Sequence, residues 1–314
     1  MRKFNFTFNG NIFFGSGSRS KINNIITNNN YKSICIVIDH ALLSVPLINE
    51  FIESIKCDKI IVECDISEPT YEKLEEKRIF PENSLLDAFV GIGGGSALDM
   101  AKGLSVLYSN LDLAIKYRGF EKFDSDILPI IALPTTAGTG SEITPNASFI
   151  DSKEKKKMGI NGESIRPKYS ILDPELTVSC PLSPSVSAGV DSLVHATEAY
   201  VAKKTNIMAQ MFANKGFSLV IENLPKLKND LNNINIRESL MYGAFLSAIA
   251  LMNSGTGPAA AMSYPLGVHY KVPHGIGGAI FLPHVIEYNN IHRPQRPLAR
   301  RAENIGSWLN ILEA

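Results

Sequence analysis

The chain holds one tryptophan, four cysteines without a CxxC pair, and no surplus of either charge, with 31 Lys and Arg against 31 Asp and Glu over 314 residues. Balanced charge leaves no global field to draw it onto nucleic acid or an acidic membrane surface. Cys35, Cys57, Cys64 and Cys180 sit in apolar or strand-like settings, which fits reduced packing thiols rather than a disulfide framework. No run of about 18 apolar residues occurs, and the N-terminus carries no apolar signal-peptide core. Neither a membrane span nor secretion is therefore expected, and a cytoplasmic protein is. No internal repeat is visible, and the Asn-rich stretches 23–30 and 229–235 read as short polar connections.

What is present is ample apolar material, 45% of the residues, enough for two cores. Residues 4–14 alternate apolar and polar side chains around Gly10 and predict a short hairpin. Residues 33–39, 59–63 and 88–92 are continuous apolar runs of the kind buried on both faces of a parallel sheet. Helical spacing lies between them, at 43–55 and 71–77, so the order is that of βαβ units in a doubly wound sheet. Residues 127–133 read as a fourth strand, with Pro129 either confining it to an edge or delaying its start. From about Val178 the texture turns helical, over 184–203, 208–224 and 237–252. The expected division is an α/β domain at 1–178 and a helical domain at 179–314.

The strand at 88–92 runs straight into Gly93-Gly-Gly-Ser-Ala-Leu-Asp-Met-Ala-Lys102, whose second half starts a helix. Glycines let the backbone approach a ligand, and the unpaired N–H groups of a helix start suit a pyrophosphate. Ser96 adds a hydroxyl and Asp99 caps or orients the turn; a plain strand-to-helix turn is the alternative. Pro134-Thr-Thr-Ala-Gly-Thr-Gly-Ser-Glu142 is a second small-residue loop after an apolar strand, and two such loops suggest a dinucleotide. Asp39 ends the first long strand, where a carboxylate binds a ribose hydroxyl and repels a 2′-phosphate, favouring NAD over NADP; a helix cap is its other reading. In 182–200, Ser183 suits an N-cap and Pro184 the first helical position. Asp191 and His195, four residues apart, then share one face, as two ligands of a divalent metal such as iron or zinc or as an ordinary hydrogen-bonded pair.

Gly93-Gly-Gly-Ser-x-x-Asp-x-Ala-Lys102, Pro134-Thr-Thr-Ala-Gly-Thr-Gly-Ser-Glu142, Gly189-Val-Asp-x-x-x-His-Ala-x-Glu-Ala-Tyr200, Tyr264-Pro-Leu-Gly267 and Pro273-His-Gly275 together resemble the iron-containing (group III) alcohol dehydrogenase family. The resemblance implies an N-terminal α/β dinucleotide-binding domain with a Rossmann-like parallel sheet, an all-α C-terminal domain in a dehydroquinate synthase-like arrangement, and a metal in the cleft between them. It implies NAD contacts from Gly93, Gly94, Gly95, Ser96, Asp99, Thr135, Thr136 and Thr139, with Asp39 at the ribose. Lys157 matches a lysine near the nicotinamide-side ribose; without that match it reads as part of a solvated charge run at 153–157. Asp191, His195 and His274 match metal ligands, and Tyr264 stands at a position near substrate. The implied reaction is reversible, metal-assisted hydride transfer between NAD(P) and a primary alcohol or aldehyde, in a homo-oligomer.

Two departures stand out. Four residues before Tyr264, where the family usually has a histidine ligand, this chain has Ala260. His269, in a Gly- and Pro-punctuated segment expected to be a loop, is a candidate catalytic or substitute ligand group, and His284 is expected to be structural or cleft-lining. Family members also continue for several tens of residues beyond the match to 300–309, so Trp308, on an expected last helix, needs cover from the chain or a partner subunit. These departures motivate a competing reading as a metal-free or non-catalytic nucleotide-binding relative.

Overall fold

The computed structural model describes residues 3–65, 67–80, 85–124 and 126–292. The expected helix carrying Trp308 lies outside the described residues. Nine strands are described: β1 Asn11–Phe14, β2 Ser33–Asp39, β3 Asp58–Cys64, β4 Ala88–Gly93, β5 Gly119–Phe120, β6 Ile130–Pro134, β7 Asn146–Asp151, β8 Lys156–Asn161 and β9 Tyr169–Leu172. With them run α1 Lys21–Asn28, α2 Pro46–Glu53, α3 Tyr71–Glu76, α4 Gly95–Ser109, α5 Leu182–Val201, α6 Ile207–Asn223, α7 Ile234–Met252, α8 Pro258–Tyr270 and α9 His274–His292.

Six strands form one all-parallel sheet in the order β1-β9-β6-β4-β2-β3. β2, β4 and β6 are almost wholly buried, which is why their sequences are continuous apolar runs. Alternate side chains feed two cores: Cys35, Val37 and Phe89 pack on one face with Leu104 of α4, and Ile34, Ile36, Val90 and Ile131 on the other with Ile22 and Ile52. β5, β8 and β7 make a separate small sheet, with β7 and β8 antiparallel. Beyond Leu172 every described regular element is helical, and α5, α6 and α7 enclose a third core around Leu193, Phe217 and Leu240. Ile143 and Leu172 pack with Met241 and Phe245 of α7, tying that core back to the sheet. Among the described residues no helix is long and apolar enough to cross a membrane. All four cysteines are free, and burial pushes Cys35 and Cys64 up to about 12.

The structure corrects several expectations. Residues 4–14 form no hairpin; β1 instead pairs in parallel with β9, its register running from Asn11 opposite Tyr169. Local alternation signals a strand but not its partner. β6 begins after Pro129 and lies between β9 and β4, so the proline delays the strand rather than confining it to an edge. α5 starts at Leu182, with Pro181 at the N-cap position and no side-chain cap, so Ser183 and Pro184 fall inside the first turn. Proline is tolerated there because the first N–H groups of a helix lack partners anyway. The segment around His269 is helix α8, with Pro265 inside it and Lys271 in the left-handed region (φ 59) closing it.

Candidate active site

The strand order reverses between β2 and β4, and that reversal opens a crevice at the carboxyl ends of the strands. Ile38 pairs with Ile92, which sets Asp39 and Gly93 side by side at the rim. Gly93 has φ 151, and a Cβ there would lie 2.7 Å from Ala97 Cβ, so the turn into α4 requires glycine. Gly94 takes the N-cap position without any side-chain cap, leaving the first N–H groups of α4 directed outward. The second loop closes directly over the first: a Cβ on Gly94 would touch Thr136 at 3.5 Å, and one on Gly95 would meet Thr139 Cγ2 at 2.8 Å. Thr135 is buried, and its N–H is bound to Gly93 O at 2.9 Å as a continuation of the sheet.

A buried polar cluster staples the two loops. Lys102, wholly inaccessible on α4, donates from Nζ to Ser141 Oγ (2.8 Å), Thr144 O (3.0 Å) and Asn146 O (2.7 Å). Asp99 does not cap the α4 turn; its Oδ1 accepts from Ser141 Oγ at 2.5 Å and its Oδ2 from Ser148 N at 2.8 Å. Burial pushes Lys102 down to about 8 and Glu142 up to about 7, and raises Asp99 above the ordinary carboxylate value. Asp39 is also a cap, its Oδ1 accepting from Ala41 N at 3.0 Å, and burial raises its carboxyl. That use does not remove it from the rim beside Gly93.

Asp191 and His195 are buried on the inner face of α5, and His274 opens α9 opposite them. One donor atom from each lies within 4.8 Å of the others. His195 Nε2 stands 3.5 Å and His274 Nε2 3.7 Å from the same Asp191 Oδ1, too long for good hydrogen bonds. His195 Nδ1 is buried without a partner. Burial holds His274 below the usual imidazole value, with Asp191 pulling the other way. Two imidazoles and a carboxylate, converging at that separation with burial favouring a neutral His274, are a donor set that a divalent cation fits. The approach of α9 to α5 depends on Gly275, whose Cβ would fall on Ser187 O and lie 2.9 Å from Asp191 Cβ.

Tyr264 stacks on His274 (centroids 5.3 Å apart, 26° between planes), and Lys157 Nζ stands 5.4 Å over the Tyr264 ring. Lys157 turns inward from β8 and donates to Glu68 Oε1 at 2.8 Å, while Lys153 to Lys156 remain exposed, so the charge-run reading holds for its neighbours only. Burial raises the Tyr264 phenol. Gly95, Ser96, Asp99, Thr139, Lys157, Asp191, His195, Tyr264 and His274 line one cleft of about 880 Å³. His269 is exposed in the last turn of α8 and His284 is exposed on α9; neither lines the cleft or joins the donor cluster. Ala260 is buried one turn before Ser263 and Tyr264, both of which touch His274. Sequence reading passed over Glu68 and Ser263, polar residues that carry no motif spacing of their own, and gave Ser141, although it lies within the quoted 134–142 motif, no role of its own.

Comparison with known proteins agrees with this geometry. Residues 9–174 match iron-containing alcohol dehydrogenase, and residues 185–311 match the C-terminal region of the Fe-containing alcohol dehydrogenase family. The chain is 38% identical over 220 residues to NAD-dependent methanol dehydrogenase of Bacillus methanolicus, covering 70% of this chain and 58% of that one. It is 32% identical over 289 residues to alcohol dehydrogenase 4 of Saccharomyces cerevisiae, covering 88% and 73% respectively. The match thus spans a little over half of the first relative and about three quarters of the second. Among solved structures, sulfoacetaldehyde reductase from Bifidobacterium kashiwanohense in complex with NAD+ superposes with a TM-score of 0.88 at 26% identity, over 96% of this chain and 81% of that one. Alcohol dehydrogenase from Oenococcus oeni superposes with a TM-score of 0.91 at 26% identity, over 99% and 87%. With both of its regions matched and the parallel sheet, glycine cradle and Asp–His–His cluster in place, the chain belongs to the iron-containing alcohol dehydrogenase family.

Proposed function

We propose that this chain is an oxidoreductase that transfers hydride reversibly between NAD and a primary alcohol or aldehyde, and that the carrying observation is the Asp191–His195–His274 cluster opening on the same cleft as Gly95 and Ser96. The cradle at Gly93, Gly94, Gly95 and Ser96 offers N–H groups to a pyrophosphate, with Thr136 and Thr139 closing over it and Thr135 and Asp99 holding the loops in place. Asp39 at the rim accepts from an adenosine ribose hydroxyl and disfavours a 2′-phosphate, so NAD is preferred over NADP. Lys157 reaches the nicotinamide-side ribose from β8. Asp191, His195 and His274 would hold a divalent metal, iron or zinc, which supplies Lewis acidity at the substrate oxygen. Tyr264 shapes the pocket wall between Lys157 and His274. Three protein donors suffice for an open catalytic site, so Ala260 in the fourth position lowers affinity without removing the site. The protein is read as a homo-oligomer with small-molecule substrates.

The competing reading, a metal-free or non-catalytic nucleotide-binding relative, is favoured within the described residues by Ala260. Metal analysis of anaerobically purified protein, with NAD-linked turnover of an aldehyde panel after reconstitution with iron or zinc, separates the two. Bound metal and turnover are expected; neither metal nor turnover would overturn the enzyme reading. Asp191→Ala is expected to abolish metal binding and turnover while NAD binding, measured by fluorescence titration, stays largely intact. Unchanged turnover would remove Asp191 from the site.

A further inference from the structure

Ser263 lies on α8 one turn after Ala260, wholly buried at 1% exposure. Its Oγ makes two short contacts, 2.6 Å to Ala260 O and 2.7 Å to His274 Nδ1. A carbonyl oxygen can only accept, so the single hydroxyl proton is committed to Ala260 O. Toward His274 the same oxygen can therefore only accept, and the proton in that contact belongs to His274 Nδ1. A neutral imidazole with its proton on Nδ1 presents a bare lone pair at Nε2. That lone pair faces Asp191 Oδ1 at 3.7 Å, an arrangement of two acceptors that has no favourable interaction until a cation stands between them.

The surroundings leave the His274 ring little freedom. Tyr264 stacks on one side of it. The hydroxyl is itself held, because a Cβ on Gly277 of α9 would come 3.0 Å from Ser263 Cβ, so the two helices touch at this point. Metal-ligating histidines depend on such an outer partner to fix the tautomer and the ring orientation.

We propose that Ser263 is a positioning residue that fixes His274 in the Nδ1–H tautomer and aims its Nε2 lone pair at the space between Asp191 and His195. This rests on the reading of those three residues as a metal site. With three donors instead of four, the orientation of each one weighs more heavily, and Ser263 supplies that of His274 without itself touching the ion.

The test has two independent readouts on the full chain. Nitrogen NMR of protein labelled with 15N-histidine, in its metal-free form near pH 8, reports which ring nitrogen of His274 carries the proton, with His274→Gln giving the assignment. The wild type is expected to show Nδ1–H, and Ser263→Ala to shift His274 toward Nε2–H or a mixture. Cobalt(II) titration followed by visible absorption is expected to give an affinity about 10- to 100-fold weaker in Ser263→Ala than in the wild type. An Nε2–H tautomer in the wild type, or an unchanged tautomer in Ser263→Ala, overturns the proposal. So does a cobalt affinity in that variant within about twofold of wild type, well below the effect expected for an outer partner of a ligand. A wild type that binds no cobalt refutes the metal-site reading instead, and the tautomer measurement still decides whether Ser263 sets the His274 ring.

Discussion

At the β4–α4 turn the groups offered to a ligand are backbone N–H groups, whereas on α5 and α9 they are side-chain lone pairs, and the two sides of the cleft are stabilised in opposite ways. The cradle is held by satisfied polar contacts: Lys102 reaches three oxygens and Asp99 accepts from Ser141 and Ser148. The donor cluster is left unsatisfied, with His195 Nδ1 unpartnered and two imidazole nitrogens facing one carboxylate oxygen beyond hydrogen-bond length. Buried polar groups without partners cost stability unless a ligand completes them. One side is thus completed by contacts within the chain, and the other presents a donor set that a divalent cation fits. Perturbing the cradle should therefore register mainly in stability, and perturbing the cluster mainly in metal affinity.

The change expected to break this contrast most severely is Gly275→Ala. The added methyl would fall on Ser187 O, a backbone atom that cannot rotate away, so α9 must move off α5 and carry His274 with it. Stability should drop by about 3 kcal/mol, the upper range for overpacking a buried contact. Cobalt binding should be lost at the same time. Thermal unfolding and cobalt titration check both, and retention of cobalt binding would show that α9 does not need this close approach.

On the cradle side, Lys102→Met removes a wholly buried ammonium from Ser141, Thr144 and Asn146 and leaves Asp99 without its neighbouring charge, 3.9 Å away. Breaking such a buried arrangement costs about 3 kcal/mol. Because Lys102 carries the loop after β6 onto α4, NAD should also bind more weakly, while cobalt affinity stays close to that of the wild type. Denaturant unfolding with both titrations tests this. Equal loss of metal and cofactor binding would mean that the two sides are not independent.

How much of this was legible before the fold was known follows from the range of the forces involved. β2 and β4 were readable to within a residue or two, since a strand buried on both faces must be apolar throughout and glycine must follow where the chain turns sharply into α4. β3 was located equally well, but it is the edge strand of the sheet, with Ile61 exposed, and is not buried on both faces as its apolar run led one to expect. The pairing of β1 with β9 was not, since nothing local to residues 4–14 names a partner near Tyr169. Strands β7 and β8 escaped because neither alternates cleanly: β7 exposes only Asn146, and β8 exposes an apolar Met158 along with Lys156. α8 was hidden by Gly267 and Pro265, residues that punctuate loops more often than helices. In the site, the Asp191–His195 spacing was visible on one helix, but His274 arrives from α9, and only motif resemblance linked it to them. Ser263 and Glu68 act through distances that spacing alone does not reveal.

A smaller effect sharpens how far the cradle rests on its hydrogen bonds rather than on its buried charges. Glu142 is buried beside Lys102, and its carboxyl is pushed from an ordinary 4.5 up to about 7. Between those values the folded chain binds more protons at this site than the unfolded chain, so stability falls as pH rises through about 4.5 to 7 and stays lower above. Lys102 works in the other direction at higher pH: held at about 8 instead of 10.5, it binds fewer protons when folded, so stability rises through that window. The two contributions are together least favourable between about pH 7 and 8. Glu142→Gln keeps the shape and removes the acid-side loss, so its stability relative to wild type should be higher at pH 8 than at pH 5, by on the order of 1 kcal/mol. The gain is limited because the glutamate's attraction for Lys102 disappears with it, leaving the ammonium less well compensated. Urea unfolding of both proteins at the two pH values measures the difference. An identical pH dependence would mean that Glu142 titrates near its ordinary value, and that the cradle's stability resides in the hydrogen bonds of Lys102 and Asp99 alone.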